Sequence, residues 1–126
     1  MTTLVIAEHD NASIKSSTRN TVTAAVELGA PITLLVVGSD CQAAASEAAN
    51  IAGVSKVIVA DSQAYAHQLP EAVAPLVAQA AAGFAHVLAP ATTTGKNLMP
   101  RVAALLDVAQ VSDIVAIKSS DTFVRP

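Results

Sequence analysis

Five short apolar runs punctuate the chain: Leu4–Ala7, Ile32–Val37, Val57–Ala60, Val87–Ala89 and Ile114–Ile117. Each is continuous rather than alternating, and most are rich in β-branched residues. Strands of this kind are covered on both faces, which is the mark of a parallel sheet sandwiched between helices. The stretches between them carry helical spacing. Val22, Ala25, Val26 and Gly29 share one face, preceded by the capping candidates Ser16, Ser17 and Thr18 and stopped by Gly29-Ala30-Pro31. Ala44, Ala45, Ala48, Ala49 and Ala52 form a second stripe, ended by Gly53. Leu69, Val73, Leu76, Val77 and Ala80 form a third, ended by Gly83, and Leu98, Val102 and Leu105 a fourth. Pro70 suits a first helical turn, whereas Pro75 predicts a kink or a later start. The repeating βα unit predicts a doubly wound, mainly parallel α/β sheet with right-handed crossovers.

Composition narrows the chemistry. Of 126 residues, 27 are Ala and 16 are Val, so the core is built to let helices lie close on the sheet. Aromatics are limited to two Phe and one Tyr, which leaves few rings to stack on a base or a flavin. The net charge of −3 and the scattered Lys and Arg exclude a basic face of the kind that binds nucleic acid. A single cysteine, Cys41, fits a reducing compartment. No apolar run approaches the roughly 20 residues that span a bilayer, and the first residues resemble neither a secretory signal nor an Arg-rich mitochondrial leader. The expected location is therefore the cytoplasm, with no membrane insertion.

In sheets of this type, ligands gather at the carboxyl ends of the strands. After the first strand comes Glu8-His9-Asp10-Asn11-Ala12-Ser13, which has no glycine for a dinucleotide fingerprint. It reads as a polar turn into a helix, with His9 and Asp10 as the acid–base alternative. After the second comes Gly38-Ser39-Asp40-Cys41, a turn and cap, with Cys41 at a helix start that could lower its pKa. After the fourth comes Pro90-Ala91-Thr92-Thr93-Thr94-Gly95-Lys96-Asn97. A phosphate-binding P-loop would need Gly at 90 and Ser or Thr at 97. What remains is a weak anion site at a helix N-terminus, with Thr93, Thr94, Gly95 and Lys96 as its candidates. The favoured reading is a capped helix start whose Lys96 and Arg101 face a neighbouring domain or subunit. His67 and His86 stand alone, and Asp107, Asp113 and Asp121 form no pair, so no metal site and no catalytic residue is assigned.

Read in order, Leu4-Val5-Ile6-Ala7-Glu8-His9-Asp10-Asn11 with Thr21-Val22-Thr23-Ala24-Ala25, Gly95-Lys96-Asn97-Leu98-Met99-Pro100-Arg101-Val102-Ala103-Ala104, Ser112-Asp113-Ile114-Val115-Ala116-Ile117-Lys118-Ser119 and Asp121-Thr122-Phe123-Val124-Arg125 resemble the N-terminal domain of the electron transfer flavoprotein α subunit. The resemblance implies an adenine-nucleotide-α-hydrolase-like fold with core strand order 3-2-1-4-5. It implies a heterodimer with a β subunit that carries FAD. Such a carrier takes single electrons from acyl-CoA dehydrogenases, as in fatty-acid β-oxidation, and passes them to a quinone oxidoreductase. The family holds FAD mainly in a C-terminal domain, so residues 1–126 are expected to be one domain, truncated at its C-terminal end. They are expected to bind no FAD and to support the β subunit and the FAD domain. The alternative is a stand-alone nucleotide-binding module of the universal-stress type, which shares the architecture but uses a Gly-rich loop where only Gly95 stands here. A small hydrolase using His9 and Asp10 lacks a Gly-x-Ser-x-Gly elbow. An unpaired sheet edge and an uncovered apolar face predict self-association.

Overall fold

The computed structural model describes residues 2–126. Strand β1 (Thr3–Ile6) leads to helix α1 (Ser16–Val26), β2 (Ile32–Gly38) to α2 (Gln42–Ala49), and β3 (Val54–Asp61) through a 3₁₀ turn to α3 (Pro70–Ala80). Then come β4 (His86–Leu88), α4 (Thr93–Leu106), β5 (Ala116–Ser119) and β6 (Thr122–Val124). The first four strands form one parallel sheet in the order β3-β2-β1-β4. Thr3 pairs with Ile32 on one side and His86 on the other, and Leu34 with Val57.

The continuous apolar runs are explained by a core on each face. All seven residues of β2 are buried. Ile32, Leu34 and Val36 pack with Val5 against Val22 and Ala25 of α1 and Ala44 and Ala48 of α2. Leu35 and Val37 turn the other way with Leu4 and Ile6, against Val73, Ala74 and Val77 of α3 and Leu98 and Val102 of α4. The period-2 alternation of a strand thus serves both layers. Ala44 and Ala48 are fully buried, so α2 lies close to the sheet with only a methyl between.

Four expectations change. The fifth apolar run does not extend the sheet beside β4. β5 instead pairs antiparallel with β6, Ile117 opposite Phe123. The turn between them is polar, and the Asp121 carboxylate accepts hydrogen bonds from the Ser119 and Thr122 hydroxyls at 2.8 and 3.0 Å. Lys118 and Thr122 are exposed, so the ribbon keeps one wet face, which a doubly covered strand could not. Second, α3 starts at Pro70 and runs unbroken through Pro75, whose ring lies on the exposed side. The carbonyl that loses its N–H partner belongs to exposed Glu71, where water can serve it. Third, Leu105 is 57% exposed although it falls on the stripe of Leu98 and Val102. The buried stripe continues in steps of four, through Leu98 and Val102 to Leu106, which packs against the core, so Leu105 turns outward. Fourth, α1 has Lys15 at its N-cap with no side-chain cap, and Thr18 is used differently, as described next.

Candidate functional site

The carboxyl edge of the sheet is organised by Glu8, His9 and Asn11. The Thr18 hydroxyl accepts the Glu8 N–H at 2.7 Å and donates to the Glu8 carbonyl at 2.9 Å, locking the end of β1 to α1. The buried His9 ring accepts the Asn11 N–H on Nδ1 at 2.9 Å. That nitrogen therefore carries no proton, and Nε2–H donates to the Val37 carbonyl at 2.9 Å. Burial pushes the His9 pKa below its ordinary value, against the pull of the Val37 carbonyl and Asp10. Asp10 faces outward, and its carboxylate accepts the N–H groups of Ala12 and Ser13 at 3.0 and 2.7 Å. These bonds, Ser13 first, hold its pKa low. His9 and Asp10 thus serve the turn separately, as the polar-turn reading expects, and do not form an acid–base pair.

Asp61, at the end of β3, was invisible as a cap in the sequence because it lies 20 residues from the helix it serves. Its carboxylate accepts the N–H groups of Asp40 at 2.8 Å and Cys41 at 3.1 Å, at the start of α2. Those bonds lower its pKa. The helix end that could have activated Cys41 is thereby taken, and the thiol is fully buried. Burial first, then the Asp61 charge, raise its pKa, the reverse of the sequence expectation.

The strand order reverses between β1 and β4, and the crevice there is small. Its volume is about 40 Å³, between Glu8, Pro70, Ala89, Pro90, Thr94 and Leu98. The Thr92 hydroxyl accepts the Gly95 N–H at 3.2 Å as the N-cap of α4 and donates to the Glu8 carboxylate. A carboxylate of the chain itself therefore sits against the positive end of α4. Gly95 passes so close to the Pro90 carbonyl that a Cβ would overlap it. The crevice has room for a few waters, and Glu8 lies where an anion would have to approach the helix end, so it is poorly suited to a phosphate.

The four anion candidates all fall in the first turn of α4. Thr93, Thr94 and Lys96 are exposed and Gly95 is buried. The Lys96 N–H is bonded to the Thr92 carbonyl at 2.8 Å, and its ammonium pairs with Asp113 at 3.3 Å. Arg101 pairs with Glu71 of α3 at 3.5 Å. Both cations thus have partners within the chain. Among the described residues, no group of three or more His, Cys, Asp and Glu could hold a metal ion.

A larger opening lies elsewhere, along the free edge of β4. A groove of about 810 Å³ separates α1 from α4 and the residues that follow it. Thr21 and Ala24 form one wall, Met99 and Ala103 the other, with Leu88 and Phe123 at its floor and end. Beside it Leu105, Val108, Val111 and Val115 are each at least half exposed. The hairpin is tied across by a 2.6 Å contact from His86 Nε2 to the Ser120 carbonyl and by the edge-on packing of His86 and Phe123. Among the described residues no helix is long and apolar enough to cross a membrane.

Comparison with known proteins agrees with the fold. The family model described as "Electron transfer flavoprotein domain" matches residues 3–126. The electron transfer flavoprotein subunit alpha of Pseudomonas aeruginosa is 60% identical over all 126 residues, which cover 41% of that protein. The same subunit of Bradyrhizobium diazoefficiens is 53% identical over the whole chain, covering 40% of its length. The mitochondrial alpha subunit of Arabidopsis thaliana is 45% identical, with 37% of its length covered. The chain spans about two-fifths of the length of the curated relatives it matches. It belongs to the electron transfer flavoprotein family, where it corresponds to the N-terminal domain of the alpha subunit.

Proposed function

We propose that these residues are the supporting domain of a flavin-dependent electron carrier rather than the part that grips its flavin. One observation carries the reading: an apolar groove and four of the exposed large hydrophobic side chains lie along the β4 edge and residues 105–115, while the carboxyl-edge crevice is small. Contiguous apolar surface rimmed by polar groups suits a protein partner. The proposed partners are the β subunit and the FAD-binding part of the same carrier. In the whole protein FAD would accept electrons singly from acyl-CoA dehydrogenases and release them to a quinone oxidoreductase. This stretch supplies no catalytic residue to that exchange and works in the cytoplasm. Thr93, Thr94, Gly95 and Lys96 stay the candidates for any weak anion contact.

The test is to purify residues 1–126, verify the intact mass, and record the visible spectrum with and without a β subunit. A colourless chain that binds the β subunit is expected. Stoichiometric flavin on the chain alone overturns the proposal. Calorimetry with ATP and AMP is expected to show no micromolar binding. Such binding would favour the universal-stress type of nucleotide module.

A further inference from the structure

We propose that the β1–α1 loop is a latch that His9 holds shut only as the neutral imidazole, and that protonation of His9 releases it from β2 and α2. The ring is 4% exposed and both of its nitrogens are engaged, Nδ1 as acceptor for the Asn11 N–H and Nε2–H as donor to Val37. A proton added at Nδ1 points a second donor at the Asn11 N–H. The bond is lost and two hydrogens face each other in a buried space. Val37 keeps its bond, so the break falls on the loop side.

Asn11 passes the change on. Its backbone is left-handed, with φ of 72°, a conformation held by the contacts on either side. Its side-chain oxygen accepts the Ser39 N–H at 3.3 Å, and its carbonyl accepts the Ala44 N–H at 3.4 Å in the first turn of α2. The next residue back from His9 is Glu8, whose carboxylate holds Thr92 at the start of α4. Two of the loops at the carboxyl edge thus meet around one imidazole, and a third is joined to them through Glu8.

The charged groups around the ring either act on it weakly or are engaged elsewhere. Asp10 on the same loop favours the imidazolium and Lys15 opposes it. Glu47 of α2 is engaged by Arg19 at 3.0 Å and by the Ile14 N–H at 3.2 Å. Asp61 of β3 is engaged by the N–H groups of Asp40 and Cys41, and the Asp40 side chain is exposed. Burial outweighs the favourable charges, so the folded pKa lies below 6.5. The sign follows. The unfolded chain takes up the proton first, so the latch stabilises fully above about pH 6.5 and the contribution is lost as pH falls through the lower folded value.

The test compares the full-length protein in its natural complex with a His9→Gln variant. The glutamine amide can donate to Val37 and accept from Asn11 but cannot titrate. Amide hydrogen exchange is followed by mass spectrometry at matched points between about pH 5 and about pH 8. The ratio of variant to wild type at each pH cancels the intrinsic pH dependence of exchange. Peptides covering residues 8–14 and 38–44 are expected to lose protection several-fold in the wild type as pH falls, and to hold it in the variant. An identical pH profile in both proteins overturns the latch. If the variant loses protection throughout, the wild type decides alone, through the ¹³Cε1 resonance of His9. A titration midpoint coinciding with the loss of loop protection supports the proposal. A loop that opens while His9 stays neutral, or stays shut after His9 is charged, overturns it.

Discussion

Gly38 shows how little room the carboxyl edge leaves at the residue scale. Its backbone is not left-handed, so the requirement is steric: a Cβ there would overlap the Asn11 amide oxygen and stand 2.9 Å from His9 Cε1. Gly38→Ala is expected to destabilise the protein by about 1–3 kcal/mol, as overpacking of a filled site does. Urea denaturation measures it, and a change below about 0.5 kcal/mol would show that the loop yields. Asp61 gives a second prediction, in acid. Its carboxylate is stabilised by N–H groups of the α2 start, so its contribution is present above the ordinary value of 3.8 and lost as pH falls below it. Asp61→Asn should therefore lower stability at neutral pH and flatten the acid limb of the stability curve. Equal acid limbs in the two proteins would remove Asp61 from that account. The lowered Cys41 pKa that the sequence left open is reversed in the structure. The position of the cysteine at a helix start was readable from Gly38-Ser39-Asp40, but its full burial, the larger cause, and the carboxylate that reaches the helix end from another strand were not.

Among the elements, α4 is the best test of the loop packing. Thr92 both caps the helix and meets Glu8, so Thr92→Ala is expected to cost about 0.5–2 kcal/mol, whereas exposed Thr93→Ala should stay within about 0.5 kcal/mol. Equal effects at the two positions would mean that the cap contributes nothing. The elements themselves were legible where one local rule decided them. Ile32–Val37 is apolar at every position but Thr33 and forms a fully buried interior strand, and Gly29 and Gly53 adopt the left-handed turns that end their helices. Prediction ran out where the outcome depended on contacts between distant parts. Ile114–Ile117 looks like the other strands, yet the local return through Ser120 and Asp121 offers an antiparallel partner without a crossover. The Leu98–Val102–Leu105 stripe found the right face of α4 for its first two members, but in the last turn Leu106 and not Leu105 meets the core. At the candidate site the hydroxyl-rich start of α4 could be read from Thr92-Thr93-Thr94. Its link to Glu8, 84 residues away, could not.

For the whole molecule, the groove and the exposed Leu105, Val108, Val111 and Val115 predict concentration-dependent association of residues 1–126 when purified alone. Light scattering should show particles larger than one chain. Val108→Lys with Val115→Lys should shift them toward monomer with little loss of stability, since both side chains are more than half exposed. A well-behaved monomer at high concentration would remove the apolar surface as a driver of assembly. The sheet order has a further consequence, in time. β1 lies between β2 and β4, so a strand at the very start of the chain waits for His86–Leu88 before its second edge is paired. On the ribosome, Leu4 and Ile6 emerge long before α4 can cover them. Nascent chains halted before residue 86 should thus remain open to proteases at β1, and protection there should arrive late and in one step.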